Sequence, residues 1–163
     1  MDLQSIERLV LVGGGVGINP FQSMVQDMKH SEDWLPRKLR VLYATKAVSP
    51  IKPEEILFLN ELRSSISEMQ KSCDAEFKLF LTGVGLQDIK EMEQRDSRVE
   101  TVMETVARRI TEKDLDEALG AESSREQTLV YVCGPKAMTD NFVEYIGSRK
   151  GMEKKRVMCE KWW

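Results

Sequence analysis

A chain of 163 residues, 41% hydrophobic and 31% charged, has the composition of one soluble globular domain with enough apolar surface to bury a core. Its net charge of -3 excludes a general nucleic-acid binder, which needs a basic surplus, and no apolar run approaches the roughly 18 residues that cross a bilayer. One histidine, His30, and three widely spaced cysteines, Cys73, Cys133 and Cys159, argue against a structural zinc site and for thiols kept in a reducing compartment. The first residues carry neither a secretory signal nor an Arg-rich transit pattern.

Leu9-Val10-Leu11-Val12 is an apolar run suited to a strand buried on both faces, as in a parallel sheet. Gly13, Gly14, Gly15 and Gly17 follow within five positions, so the backbone can turn sharply and approach a ligand without Cβ clashes. Residues 18–28 have helical spacing, with Pro20 where a first-turn proline is tolerated. Strand, glycine turn and helix together aim backbone N–H groups and a positive dipole end at one point, suited to a phosphate or pyrophosphate. A purely structural tight turn is the alternative, and Pro20 stands where a full G-x-G-x-x-G would have its third glycine.

Residues 31–36 form a turn and residues 39–45 a second strand. Pro53-Glu54-Glu55 opens a helix whose apolar stripe is Ile56, Leu59, Leu62 and Ile66. A third strand spans 76–82 and is broken by Gly83 and Gly85. Residues 87–109 are highly charged; Ile89, Met92, Val99, Val102, Met103 and Val106 fit a helical face, and the solvated middle reads as a surface insertion. A short helix over 111–119 starts with the capping box Thr111-x-x-Asp114. A fourth buried strand over 128–133, a Gly134-Pro135 turn, a helix over 136–146 and a last strand over 155–162 complete the chain.

Five strands alternating with helices predict an α/β fold: a three-layer, doubly wound, five-stranded parallel sheet of Rossmann type. Ligands in such sheets bind beyond the carboxyl ends of the strands, where strand order reverses. The loops 13–20, 44–52 and 133–138 are expected to gather there.

Gly14-Gly15-Val16-Gly17-Ile18-Asn19-Pro20 resembles the G-G-x-G-x-x-P turn of the ferredoxin-NADP reductase family, and Cys133-Gly134-Pro135-Lys136-Ala137-Met138 resembles its C-G-P-x-x-M motif. Between them, Ile56-Leu57-Phe58-Leu59-Asn60-Glu61-Leu62 resembles the family helix that follows the second strand. The resemblance covers nearly the whole chain, with residues 85–108 the least matched. It implies a pyridine-nucleotide domain that docks NAD or NADP beside a flavin. Gly13 to Asn19, with Pro20, would hold the pyrophosphate, and Cys133, Gly134 and Pro135 would border the nicotinamide, Cys133 as the nearest side chain and not as a nucleophile. Met138 would either pack or touch the cofactor, and Thr45 and Lys46 would lie at the adenosine ribose.

An NAD-preferring loop often places an acid at that ribose. None occurs from Tyr43 to Lys52, so Lys46 would either meet a 2′-phosphate or remain solvated. Arg109-Ile110 resembles a family position that approaches the nucleotide. Trp162 and Trp163 resemble C-terminal aromatics that lie against a flavin in the family; packing on the domain surface is the other reading.

The family's acceptor, FAD or FMN, is held by a barrel domain whose Arg-x-Tyr-Ser/Thr signature is not found here. The expectation is therefore one NAD(P)-binding domain over 1–163, without the flavin-binding domain, forming part of a larger reductase that passes electrons to an unknown acceptor. The expected partners are a pyridine nucleotide and a flavin domain, with no metal, nucleic acid or membrane span, in a mitochondrial or cytoplasmic setting. A non-catalytic nucleotide-binding or interaction module is the main alternative. A methyltransferase fits less well, because nothing at Ala44-Thr45-Lys46 supplies its usual acid.

Overall fold

Leu9 and Leu11 point to one side of the first strand and Val10 and Val12 to the other, and all seven residues of β1 (Arg8–Gly14) are buried. A strand apolar on both faces needs cover on both, and the computed structural model, which describes residues 5–31, 34–96 and 102–161, supplies it. Six parallel strands form one sheet in the order β4-β3-β2-β1-β5-β6, where β2 is Lys38–Lys46, β3 Asp74–Thr82, β4 Met103–Val106, β5 Thr128–Cys133 and β6 Val157–Glu160. Helices α1 (Asn19–His30), α2 (Leu59–Met69) and α3 (Leu86–Arg95) bury Phe21, Val25, Leu62, Ile66, Ile89 and Met92 against the Leu9/Leu11 face. Helices α4 (Glu112–Leu119) and α5 (Lys136–Gly147) bury Leu115, Leu119 and Ile146 against the Val10/Val12 face.

The two faces follow from chain direction. The sheet grows outward from β1 to β4, then returns to add β5 on the other side of β1. Right-handed crossovers put helices on one face during the outward run and on the opposite face after the reversal. The reversal therefore falls between β1 and β5.

The expected architecture holds, with corrections. The sheet has six strands, not five, because β4 lies inside the stretch read as a helical face or surface insertion. Only its start, α3, is helical; residues 97–101, including Val99, lie outside the described residues. β4 is a four-residue edge strand held by register with β3, Phe77 beside Met103 and Phe80 beside Val106. Met103 and Val106 pack toward opposite faces, but over so few residues periods of 2 and 3.6 look alike.

The helix expected from Pro53 is instead a single 3-10 turn, Pro53–Glu55, followed by a break. Phe58 takes a left-handed conformation (φ 56°, ψ 14°) before α2 begins at Leu59. That conformation costs a non-glycine residue roughly 1–2 kcal/mol, offset here by burial of Ile51, Ile56 and Leu59 in one cluster that Phe58 also packs against. The last strand is shorter than expected, and Trp162 and Trp163 lie outside the described residues. Among the described residues no helix is long and apolar enough to cross a membrane.

The capping box at α4 forms as the sequence predicts and gains a partner. The Asp114 carboxylate accepts hydrogen bonds from the Thr111 N–H (2.8 Å) and hydroxyl (2.7 Å), and from Arg108 at 2.6 and 2.9 Å. The Arg108 guanidinium also lies over the Phe80 ring, 5.4 Å from its centroid. Burial alone would raise the Asp114 pKa, but the hydrogen bonds from Arg108 and Thr111 and the guanidinium charge outweigh it and bring it to about 2. A carboxyl depressed on folding contributes stability that is complete above its unfolded pKa and is lost as pH falls toward the folded value. Asp114→Asn should therefore cost on the order of 1–2 kcal/mol at pH 7, discounted for the half-exposed Arg108. In urea titrations the gap to the unsubstituted protein should narrow between about pH 4 and pH 2; a gap constant across that window would contradict the assignment.

Candidate functional site

The carboxyl edge of the sheet collects the β1–α1 turn, the loop after β2 and the β5–α5 turn, as the parallel strands require. Gly13 of β1 is flanked in register by Tyr43 of β2 and Cys133 of β5, and Gly14 is flanked by Ala44. The first and third of these loops touch. A Cβ built on Gly17 would collide with the Cys133 carbonyl, and one on Gly134 would lie 3.1 Å from Gly14 and collide with Met138. A Cβ on Gly14 would lie 2.7 Å from the Met138 sulfur and 2.9 Å from Pro135. The two glycine turns thus pack backbone to backbone, with the Met138 thioether wedged between them.

Gly15 differs. It adopts φ +53° and nothing lies within 4 Å of where its Cβ would be. Its backbone faces open space at the tip of the turn, where Val16 is 73% exposed. Residues Gly15–Ile18 form one 3-10 turn leading into α1. No side chain caps the N-terminus of α1 or α5, and neither has an acid in its first turn. Two unshielded helix N-termini, one from each face, therefore flank the β1/β5 junction, and each favours an anion. Asn19 is exposed and Pro20 half-buried at the first, while Pro135, Lys136 and Ala137 are exposed at the second.

Not every expected residue presents a side chain. Ile18 and Cys133 are fully buried in the α1-side core, so each reaches the carboxyl edge through its backbone. Thr45 and Lys46 end β2 on the strand beside the turn, one and two residues past Ala44. Arg109 is exposed in the loop after β4, while its neighbour Arg108 is bound to Asp114.

Three residues not singled out from the sequence help to shape the site. Thr139, fully buried, donates its hydroxyl to the Gly134 carbonyl at 3.1 Å and fixes the second turn. Tyr131 donates its hydroxyl to Glu160 at 2.9 Å, and Glu160 is the register neighbour of Cys133. Burial first, then the Glu160 hydrogen bond and charge, push the Tyr131 pKa up to about 12, so the phenol stays a donor. The Tyr131 ring meets Phe21 edge-on, with centroids 5.8 Å apart, and this ties β5 to α1. At the far side, Asp140 accepts Lys161 at 2.7 Å and pairs with Lys136 at 3.3 Å. Thr139, Tyr131 and Glu160 sit in or near legible motifs, but their pairing depends on strand register and so has no local sequence signal.

The turn geometry separates two glycines that look equivalent in sequence. Gly17→Ala must displace backbone and should cost at least about 2–3 kcal/mol. Gly15→Ala meets only its strained φ and should cost about 1–2 kcal/mol. Urea unfolding of both variants checks the order; equal losses would mean that the turns do not approach as described.

A profile of the family described as "Oxidoreductase NAD-binding domain" matches residues 11–144. The chain is 27% identical over 175 residues to "Oxidoreductase NAD-binding domain-containing protein 1" from Pongo abelii, covering 96% of this chain and 45% of that protein. The Homo sapiens protein of the same name is 27% identical over 167 residues, covering 96% and 46%. The chain therefore spans about half the length of the curated relatives it matches. Among solved structures, a ferredoxin NADP+ reductase from Neisseria gonorrhoeae with bound FAD and NADP aligns at TM-score 0.48 and 16% identity, over 97% of this chain and 57% of that one. With the profile extending from β1 into α5, across both glycine turns, the chain belongs to the oxidoreductase NAD-binding domain family.

Proposed function

We propose that this chain is the NAD(P)H-binding half of a flavin-dependent oxidoreductase, which positions the nicotinamide for hydride transfer to FAD or FMN on a separate domain. The observation that carries the reading is the packing of the two glycine turns at the β1/β5 reversal, flanked by two uncapped helix N-termini. The residues fit such a ligand. The open backbone at Gly15 and the amides of Val16 to Ile18 suit a pyrophosphate, with no carboxylate in the first turn of α1 to repel it. Gly134, Pro135 and Met138 would border the nicotinamide, and Thr45 and Lys46 the adenosine ribose.

A bound pyridine nucleotide supplies hydride chemistry that needs no general acid or base from the protein. The work left to this chain is to bind, orient and exclude water. Thr139 and the Phe21–Tyr131 contact hold the second turn rigid for that purpose, in keeping with a site built on the ends of regular elements. On this reading the flavin is held by a separate domain.

The test is calorimetric titration of the purified chain with NADPH and NADH. At least one should bind with Kd between about 1 μM and 1 mM, and Gly15→Glu, which adds a carboxylate at the turn, should weaken it by about tenfold or more. The chain alone should retain no flavin and oxidise no NAD(P)H, and turnover should appear once it is joined to a flavin-binding reductase domain. Failure to bind either nucleotide would overturn the reading. Binding without turnover in the joined form would favour a nucleotide-binding module.

A further inference from the structure

We propose that Met138 is a redox-sensitive wedge: a hydroperoxide converts its thioether to the sulfoxide, and the added oxygen parts the two glycine turns. The fall in ligand affinity that follows rests on the dinucleotide reading above; the parting of the turns does not. Met138 lies in the first turn of α5, and its sulfur and methyl fill the space that side chains would take on Gly14 and Gly134. A Cβ on Gly14 would lie 2.7 Å from the sulfur and 2.8 Å from the methyl, and one on Gly134 would collide with that methyl. The two backbones meet beside it, the Cβ position of Gly134 being 3.1 Å from Gly14 Cα. One thioether therefore packs on both turns.

That thioether is reachable. Met138 is half-buried, and Pro135, Lys136 and Ala137 before it are exposed. Cys133, at the same edge, is fully buried, and Met28, Met69 and Met92 are buried in the α1-side core. Met158 is exposed, but it stands on β6 as the register neighbour of Tyr131. Among the described methionines, Met138 alone is a nearest neighbour of a glycine in either turn. Access and position coincide at this residue.

With hydrogen peroxide as the oxidant, a sulfur lone pair attacks one peroxide oxygen. An S–O bond forms as the O–O bond breaks, and the departing hydroxide takes the proton of the transferred OH. Sulfur gives up two electrons, and the peroxide is reduced to water. A flexible apolar side chain becomes a polar, chiral one. Its new oxygen needs a hydrogen-bond donor, and Pro135, whose Cδ lies 2.9 Å from the same Cβ position on Gly14, has no N–H to give. Close-packed surroundings accept neither an extra atom nor an unpaired acceptor without moving. Gly14 and Gly134 have no side chains to yield, so their backbones must.

Peroxide titration of the full chain tests this. Peptide mass spectrometry places each sulfoxide, amide shifts and hydrogen exchange follow the turns, and calorimetry with NADPH and NADH follows binding. The unsubstituted chain is compared with Met138→Leu, whose apolar side chain peroxide leaves alone, and with Met158→Leu, each against its own untreated form. Met138 should oxidise ahead of Met28, Met69 and Met92. The Gly14 and Gly134 amides should then shift and exchange faster in the unsubstituted chain and in Met158→Leu, and stay unchanged in Met138→Leu. Dinucleotide affinity should fall about tenfold or more in the first two and less than about twofold in Met138→Leu, and methionine sulfoxide reductases should restore it. Three results would overturn the proposal: Met138 protected as well as the core methionines, its oxidation without change at both glycine amides, or an equal loss of affinity in Met138→Leu. Untreated chain of native circular dichroism that binds neither nucleotide would overturn the dinucleotide reading and the affinity loss with it, and the glycine amides alone would then decide whether the turns part.

Discussion

The structure depends on one close approach. Where β1 and β5 end side by side, the backbone of Gly17 lies against the Cys133 carbonyl, and Gly134 lies against Gly14. A Cβ at Gly17 would collide with that carbonyl, and one at Gly134 would press on Gly14 and the Met138 methyl, so the two turns that bracket the junction are specified together. Because the chain reverses its direction of travel at that junction, the helices leaving the two turns diverge to opposite faces while their N-termini stay at one edge. Topology brings the two turns together, and the glycines let their backbones approach with Met138 packed between them.

Electrostatics follow from the same arrangement. Helix N-termini without side-chain caps retain unsatisfied N–H groups and a positive dipole end, and α1 and α5 both begin this way at the same edge. Acids close to the edge are balanced or engaged: Asp140 by two lysines, Glu160 by the Tyr131 hydroxyl, Asp114 by Arg108. An overall acidic protein thus presents an edge suited to an anion, which its net charge of -3 does not suggest. The same phosphate-binding logic recurs across unrelated enzymes, so the hydride-transfer reading rests on the pairing of the two turns and not on either one.

The sequence made the fold legible wherever local pattern and burial agreed. Leu9 to Val12, Leu59, Leu62 and Ile66 of α2, and the strand over 128–133 all lie where their periodicity places them, because each is buried by the face its pattern advertises; Ile56, read into the same helical stripe, is buried but lies before the helix begins. What escaped was decided by distant partners. β4 owes its existence to β3, and Phe58 turns left-handed without a glycine because neighbouring apolar side chains share one cluster. At the site, the glycine motifs were legible from their residue types. The inward-facing side chains of Ile18 and Cys133, and the Tyr131–Glu160 bond across two strands, depend on register, which a single sequence does not encode locally.

The central claim is that two turns, some 120 residues apart in sequence, act as one binding edge. The most direct measurement is a titration of the ¹⁵N-labelled chain with NADPH, followed through backbone amide shifts. The amides of Gly15 to Asn19 and those of Gly134, Lys136 and Ala137 should move together along a single saturation curve. Shifts confined to one turn, or clustered at the amino ends of the strands, would contradict the account.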